Sequence, residues 1–219
     1  MLNDQNTPKS GHIRKENVQR IIQAAEVEFA QFGFKGASML SIAKRADLPR
    51  PNVHYYYKSK LDLYMAVLMD ILELWNAAFT HVSAADEPGE ALSSYIRAKV
   101  MYAKSNPLAS KIYANEMIHG APHLSEYMAG DYRRWVNDKS QVIMEWISQG
   151  KMDPVDPFYL LFLIWGATQH YSDFSIQVNT ALDQESITDQ DYEKIADNLC
   201  HIILKGCGIQ GAAILNRQI

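Results

Sequence analysis

Cysteine is almost missing from this 219-residue chain: Cys200 and Cys207 are the only two. Both fall on one predicted helix, too far apart along it for a disulfide. The expectation is a reducing cytoplasm in which the two thiols serve as small apolar side chains. Long hydrophobic runs are missing as well. The longest, Phe158 to Ala167, is too short to cross a bilayer, and the opening residues MLNDQNTPKSGH lack the apolar stretch of a signal peptide. There is no glycine-rich phosphate loop, nucleophile elbow or zinc spacing. No segment alternates apolar and polar residues long enough to suggest a strand, and no internal repeat is visible. These absences point away from nucleotide chemistry, hydrolase triads and structural zinc.

What the chain does have is an uneven charge. The net charge is -4, yet residues 1–60 hold ten Lys and Arg against five Asp and Glu, while residues 61–219 hold eleven against twenty. A basic head on an acidic body is the arrangement expected when one end meets a polyanion and the other does not. Hydrophobic residues at 47% and charged residues at 21% are ordinary for a globular chain.

Helical spacing dominates. Residues 1–13 read as a disordered polar tail. From Arg14, the apolar positions Val18, Ile21, Ile22, Ala25, Phe29 and Phe32 follow three- and four-residue steps, and Gly33 ends that helix. Ser38 caps a short second helix, Asp47–Leu48 form a turn, and Pro49–Pro51 open a third helix running to about Tyr57. Two short helices joined by a tight turn after a longer one make a helix-turn-helix unit. Ser59 caps a long fourth helix carrying Leu63, Val67, Leu68, Ile71, Trp75 and Phe79. Further helices are expected over about 90–104, 108–119, 123–149, 157–178 and 190–206, the 157 start marked by Asp156–Pro157. The fold class is therefore all-α: a three-helix head over 14–60 and a larger helical body over 61–219.

The stretch RPNVHYYYKSK, residues 50–60, carries the chemistry of the head. Val53 and Tyr57 share the face turned to the small core. Arg50, Pro51, Asn52, His54, Tyr55 and Tyr56 spread over the rest. An α-helix fits the major groove of B-DNA, where an arginine can pair with guanine and aromatic rings pack on thymine methyls or sugars. Lys58, Lys60, Lys44, Arg45 and the Ser38 helix start suit phosphate oxygens. An alternative in which the tyrosines merely fill a core leaves the clustered aromatics and cations unexplained.

These same residues carry a resemblance. GFKGASMLSIAKRADLPRPNVHYYYKSKLDLYMAVL resembles the DNA-binding head of the TetR family of regulators, over residues 14–68. The resemblance implies a recognition helix bearing Arg50, Pro51, Asn52, His54, Tyr55 and Tyr56, and a phosphate contact from Lys60. It also implies a body that binds a small molecule and forms a homodimer through its last two helices, here 157–178 and 190–206. Two positions depart from the pattern: Asp47 replaces the usual turn glycine, and His54 stands where tyrosine is frequent. Asp tolerates the left-handed conformation better than most residues.

Both terminal helices bear apolar stripes: Leu160, Leu161, Ile164 and Ala167 on one, Ile195, Leu199, Ile202 and Ile203 on the other. A stripe of this kind serves a monomer core more often than an interface. In FLIWGATQHYSDF, residues 162–174, Trp165, Gln169 and Asp173 align at four-residue steps with His170 beside them. Such polar groups need partners, which neighbouring helices, a dimer mate or a ligand can supply. An amide matches a lactam or imide edge, and tryptophans such as Trp165 and Trp75 give flat stacking walls. ILELW, EMIHGAP, DKSQVIMEWISQGKMDPVDP and IWGATQHYSDF are similar to the pyrimidine-utilisation subgroup of the family. That similarity implies a uracil-like effector held by Trp75, Trp165 and Gln169.

One competing motif is Glu116-Met-Ile-His119, an ExxH spacing used in di-iron helices. Those sites need a second copy and further glutamates from other helices, and no second copy is found. The expectation is a regulator, not an enzyme, with no metal and no cofactor. Its alternatives are an effector-independent activator or global regulator with the same head, and, further off, a helical-bundle metalloenzyme.

Overall fold

The computed structural model describes residues 7–209; residues 1–6 of the expected tail lie outside them. Among the described residues the chain is helical throughout, with no strand. Helix α1 (Thr7–Gly36) begins before Arg14, so the second half of the expected tail is helical. The helix breaks at Gly33, where φ is 65° and ψ 177°, a conformation open to glycine alone at little cost. Helix α2 (Met39–Arg45) starts at the Ser38 cap, whose Oγ accepts from the Ser41 N–H at 3.0 Å. Asp47 takes the left-handed conformation, φ 52°, in the turn before α3 (Arg50–Tyr56). Arg20 holds that turn, donating to the Asp47 carbonyl at 2.9 Å and its carboxylate at 3.3 Å.

Helix α4 (Lys60–Thr80) starts in a full capping box: Ser59 accepts from the Asp62 N–H and Asp62 accepts from the Ser59 N–H. It is apolar and long enough, by composition, to pass as a membrane span. Its Leu63, Val67, Leu68 and Phe79 are nevertheless wholly buried against protein. At its C-terminus the Lys139 ammonium donates to the carbonyls of Thr80 (2.6 Å) and Val82 (3.1 Å), satisfying groups that a helix end leaves open.

The body continues with α5 (Pro88–Ser105) and α6 (Pro107–Ile118). The helix expected over 123–149 is divided into α7 (Ser125–Tyr127), a π-helical turn at Met128–Tyr132, and α8 (Arg133–Ser148). Asp156 caps α9 (Pro157–Asp173) through the N–H groups of Phe158 and Tyr159. The helix expected to reach 178 ends at Asp173, and α10 (Ser175–Ala181) follows a break at Phe174. A Thr188–Asp191 capping box opens α11 (Asp189–Gly206).

Two cores hold these helices. The first joins α1, α2, α3 and α4 as far as Trp75 to Ala109 and Ile112 of α6. The second gathers Phe79 with α5, α8, α9 and α11 around Trp146, Leu161 and Ile164. Cys200 and Cys207 are buried there as free thiols, and burial pushes both upward in pKa. Leu160, Leu161, Ile164, Leu199 and Ile203 also belong to this core, so most of the expected interface stripe is monomer interior. The opposite side of α9 is the apolar face left open: Tyr159 is 72%, Leu163 55% and Phe162 46% exposed. Ile202 on α11 is exposed too.

Candidate functional site

Helix α3 turns one residue inward and most of the others out. Val53 is fully buried in the head core. Arg50, Pro51 and Asn52 are exposed, and Tyr55 is 75% exposed. Arg50 Nε donates to His54 Nε2 at 3.4 Å, so the histidine steadies the arginine one turn away. Tyr55 and Tyr56 meet edge to face with centroids 5.2 Å apart. Tyr56 is less free than its neighbour: its ring leans on the core, and its hydroxyl accepts from the Asn17 amide at 3.4 Å. Tyr57 is also only half-buried, packed against the core's edge.

The flanking polar groups are partly committed. Ser38 Oγ caps α2 and also bonds Ser41 Oγ at 2.8 Å. Arg45 pairs with the buried Glu28 carboxylate at 3.7 Å, while Lys44 is exposed. The Lys60 ammonium donates to the carbonyls of Ala37 (3.0 Å) and Lys35 (3.3 Å) and lies 4.7 Å from the Phe34 ring centroid. An ammonium has three donors, so one remains for an outside acceptor. Replacing Lys60 by methionine keeps the stem but leaves two carbonyls without their cation. We expect a loss of about 1–2 kcal/mol in stability, read as a lower urea midpoint.

In the body, Trp75, Trp165 and Gln169 do line one cavity, of about 40 Å³, with Leu72, Asn76, Tyr95, Lys99, Tyr113 and Tyr132. That volume holds roughly one water; a six-membered ring enters only if the aromatic walls part. Trp165 Nε1 donates to the Tyr95 hydroxyl at 2.7 Å, and Trp75 meets Tyr113 edge to face at 4.7 Å. Tyr132 reaches the cavity from the π-helical turn, a local widening often found at functional sites. His170 and Asp173 do not line it. His170 is exposed and stacked on Phe174 at 5.2 Å. Asp173 is bound by the Ser110 hydroxyl, and burial lifts its carboxyl above the ordinary carboxylate value.

Leu72, Asn76, Tyr95, Lys99, Tyr113 and Tyr132 line the cavity without having been expected, and Lys99 is the charged one among them. It is 4% exposed, with its ammonium 4.3 Å from the Trp75 ring centroid, and burial pulls its pKa down to about 7. The available signal was its register: Tyr95, Ile96 and Ala103, three or four residues away on the same side of α5, are all buried.

Glu116 is a buried hydrogen-bond acceptor. It is 3% exposed and accepts from the Tyr64 hydroxyl (3.0 Å) and the His123 N–H (2.7 Å), with His123 Nδ1 at 3.1 Å. Burial, with this carboxylate beside it, pushes the Tyr64 phenol up. His119 turns back to the Asn115 carbonyl at 2.7 Å, so the ExxH pair does not converge. The His123 ring packs on Phe34 of the head at 4.3 Å.

An exposed basic helix presented by a helix-turn-helix, set on a larger helical body with an internal cavity, defines a DNA-binding transcriptional regulator. Residues 21–67 match the family described as bacterial regulatory proteins, tetR family, and residues 68–210 match the YcdC-like protein C-terminal region. The chain is 37% identical over 186 residues to the HTH-type transcriptional regulator RutR of Escherichia coli strain K12, covering 85% of this chain and 88% of that one. The fold matches a TetR-like transcriptional regulator from Rhodococcus sp. RHA1 (TM-score 0.62, 19% identity, 87% of this chain and 94% of that one). It also matches AibR in complex with isovaleryl coenzyme A and operator DNA (TM-score 0.65, 16% identity, 85% and 97%). The chain belongs to the TetR family. Its relatives are regulators rather than enzymes.

Proposed function

We propose that the protein is a homodimeric, cytoplasmic repressor that leaves a palindromic operator when a planar, uracil-like molecule enters its body. The single observation that supports this reading most is the two-sided character of α3: one fully buried valine inside, and Arg50, Pro51, Asn52 and Tyr55 outside. In the proposal the head spans residues 14–60, Arg50 reads a base edge, and Lys44, Arg45, Lys60 and the Ser38 helix start hold phosphates. The open faces of α9 and α11 pair two copies, which places two α3 helices on half-sites about 34–36 Å apart, or a multiple of that distance. Trp75, Trp165 and Gln169 would stack on and hydrogen-bond the effector, by similarity to the pyrimidine-utilisation subgroup. Release requires that the effector bind the conformation unsuited to DNA more tightly than the other.

The test is retention of genomic duplex fragments at low salt, followed by footprinting. Arg50→Ala is expected to lower operator affinity by about 1–3 kcal/mol and to relax one base position. Unchanged affinity and unchanged preference would remove α3 from the interface. Uracil added to the complex is expected to release the fragment; a complex indifferent to pyrimidines favours an effector-independent regulator.

A further inference from the structure

Lys99 is a buried cation that the proposed stacking scheme leaves unused. It projects from α5 into the cavity under Trp75. Among the described residues no carboxylate lies within ion-pair distance of it; Asp173 of α9, held by the Ser110 hydroxyl, attracts the ammonium only from farther off. The other groups around the cavity are the neutral phenols of Tyr95, Tyr113 and Tyr132 and the amides of Asn76 and Gln169. A charge taken out of water without a counter-charge in contact is costly, and a charged ligand oxygen is the natural compensation.

We propose that Lys99 selects the charge of the effector: the cavity favours a planar ring bearing an anionic oxygen, such as an ionised imide, over the same ring when neutral. The inference rests on the reading of the cavity as an effector site. The ring lies between the tryptophans, its anionic oxygen accepts from the Lys99 ammonium, and its opposite edge meets the Gln169 amide. No covalent step is involved. Hydrogen bonds to a charged partner are about twice as strong as neutral ones.

The experiment compares barbiturate, which is ionised at neutral pH, with uracil, which is not, by isothermal titration of the full chain at pH 7. Barbiturate is expected to bind at least about tenfold more tightly. Lys99→Met is expected to bring the two affinities together; Lys99→Gln repeats the test with a polar replacement if the methionine variant fails to fold. Equal affinity of the wild-type chain for both rings overturns the inference and leaves the effector reading standing. So does a preference that survives in the folded variants. Failure of both rings to bind wild type overturns the effector reading itself.

Discussion

Replacing Leu163 by arginine is expected to yield a folded monomer that holds operator DNA about 10²–10⁴-fold more weakly. Leu163 is 55% exposed on α9, beside Tyr159 and Phe162 and opposite the side that packs the body core. The substitution therefore spares the interior, where Leu161 and Ile164 are fully buried. It does place a charge at the centre of the apolar face proposed to meet a second copy, where desolvating it is unfavourable. A monomer carries one α3 and reads one half-site, so it loses the gain from tethering two heads. Light scattering reports the mass and gel shift reports the binding. A variant that stays dimeric would move the interface off this face of α9.

Glu116→Ala is expected to lower stability by about 3–5 kcal/mol, the range for stripping a buried charged partner from its network. The change leaves the Tyr64 hydroxyl and the His123 N–H without an acceptor in a closed setting, each at about 1–3 kcal/mol. Glu116→Gln keeps an acceptor oxygen and should lose far less. Urea titration separates the two: a lower midpoint with an unchanged slope marks lost stability rather than an altered unfolded state. The cluster lies where α1, α4 and α6 meet, since Phe34 packs on both Tyr64 and His123. For that reason the alanine variant should also loosen the head from the body.

Helix beginnings were the legible part of this chain, because their chemistry is local. Ser38, Ser59 and Asp156 each cap the helix expected of them, and Gly33 and Asp47 take positive φ where a break and a turn were expected. Less was legible wherever two faces compete. The start of α9 is apolar all round, from Phe158 to Ile164, so spacing alone does not say which side faces inward. The stripe read as a possible interface proved to be largely core, and the open face runs through Tyr159, Phe162 and Leu163. The break at Phe174 carries neither glycine nor proline, and a lone Gly130 inside an otherwise helical run does not announce the π-helical turn at Met128–Tyr132. In the cavity, the tryptophans and Gln169 were visible as unusual residues on apolar helices. His170 adjoins Gln169 in sequence, yet a sequence neighbour points about 100° away on a helix, and His170 is exposed.

Helix α4 runs unbroken for 21 residues from the head to the far side of the cavity, a rod of about 31 Å. Cations sit on backbone carbonyls at both of its limits, Lys60 reaching out to Ala37 and Lys139 reaching in to Thr80. Such a rod resists sliding and stretching more than it resists tilting. Pivoting it by about 10° around its Lys139 anchor swings its other tip by roughly 5 Å, close to one helical pitch. Small displacements of Trp75, partway along the shaft, are thereby magnified before they arrive at the DNA.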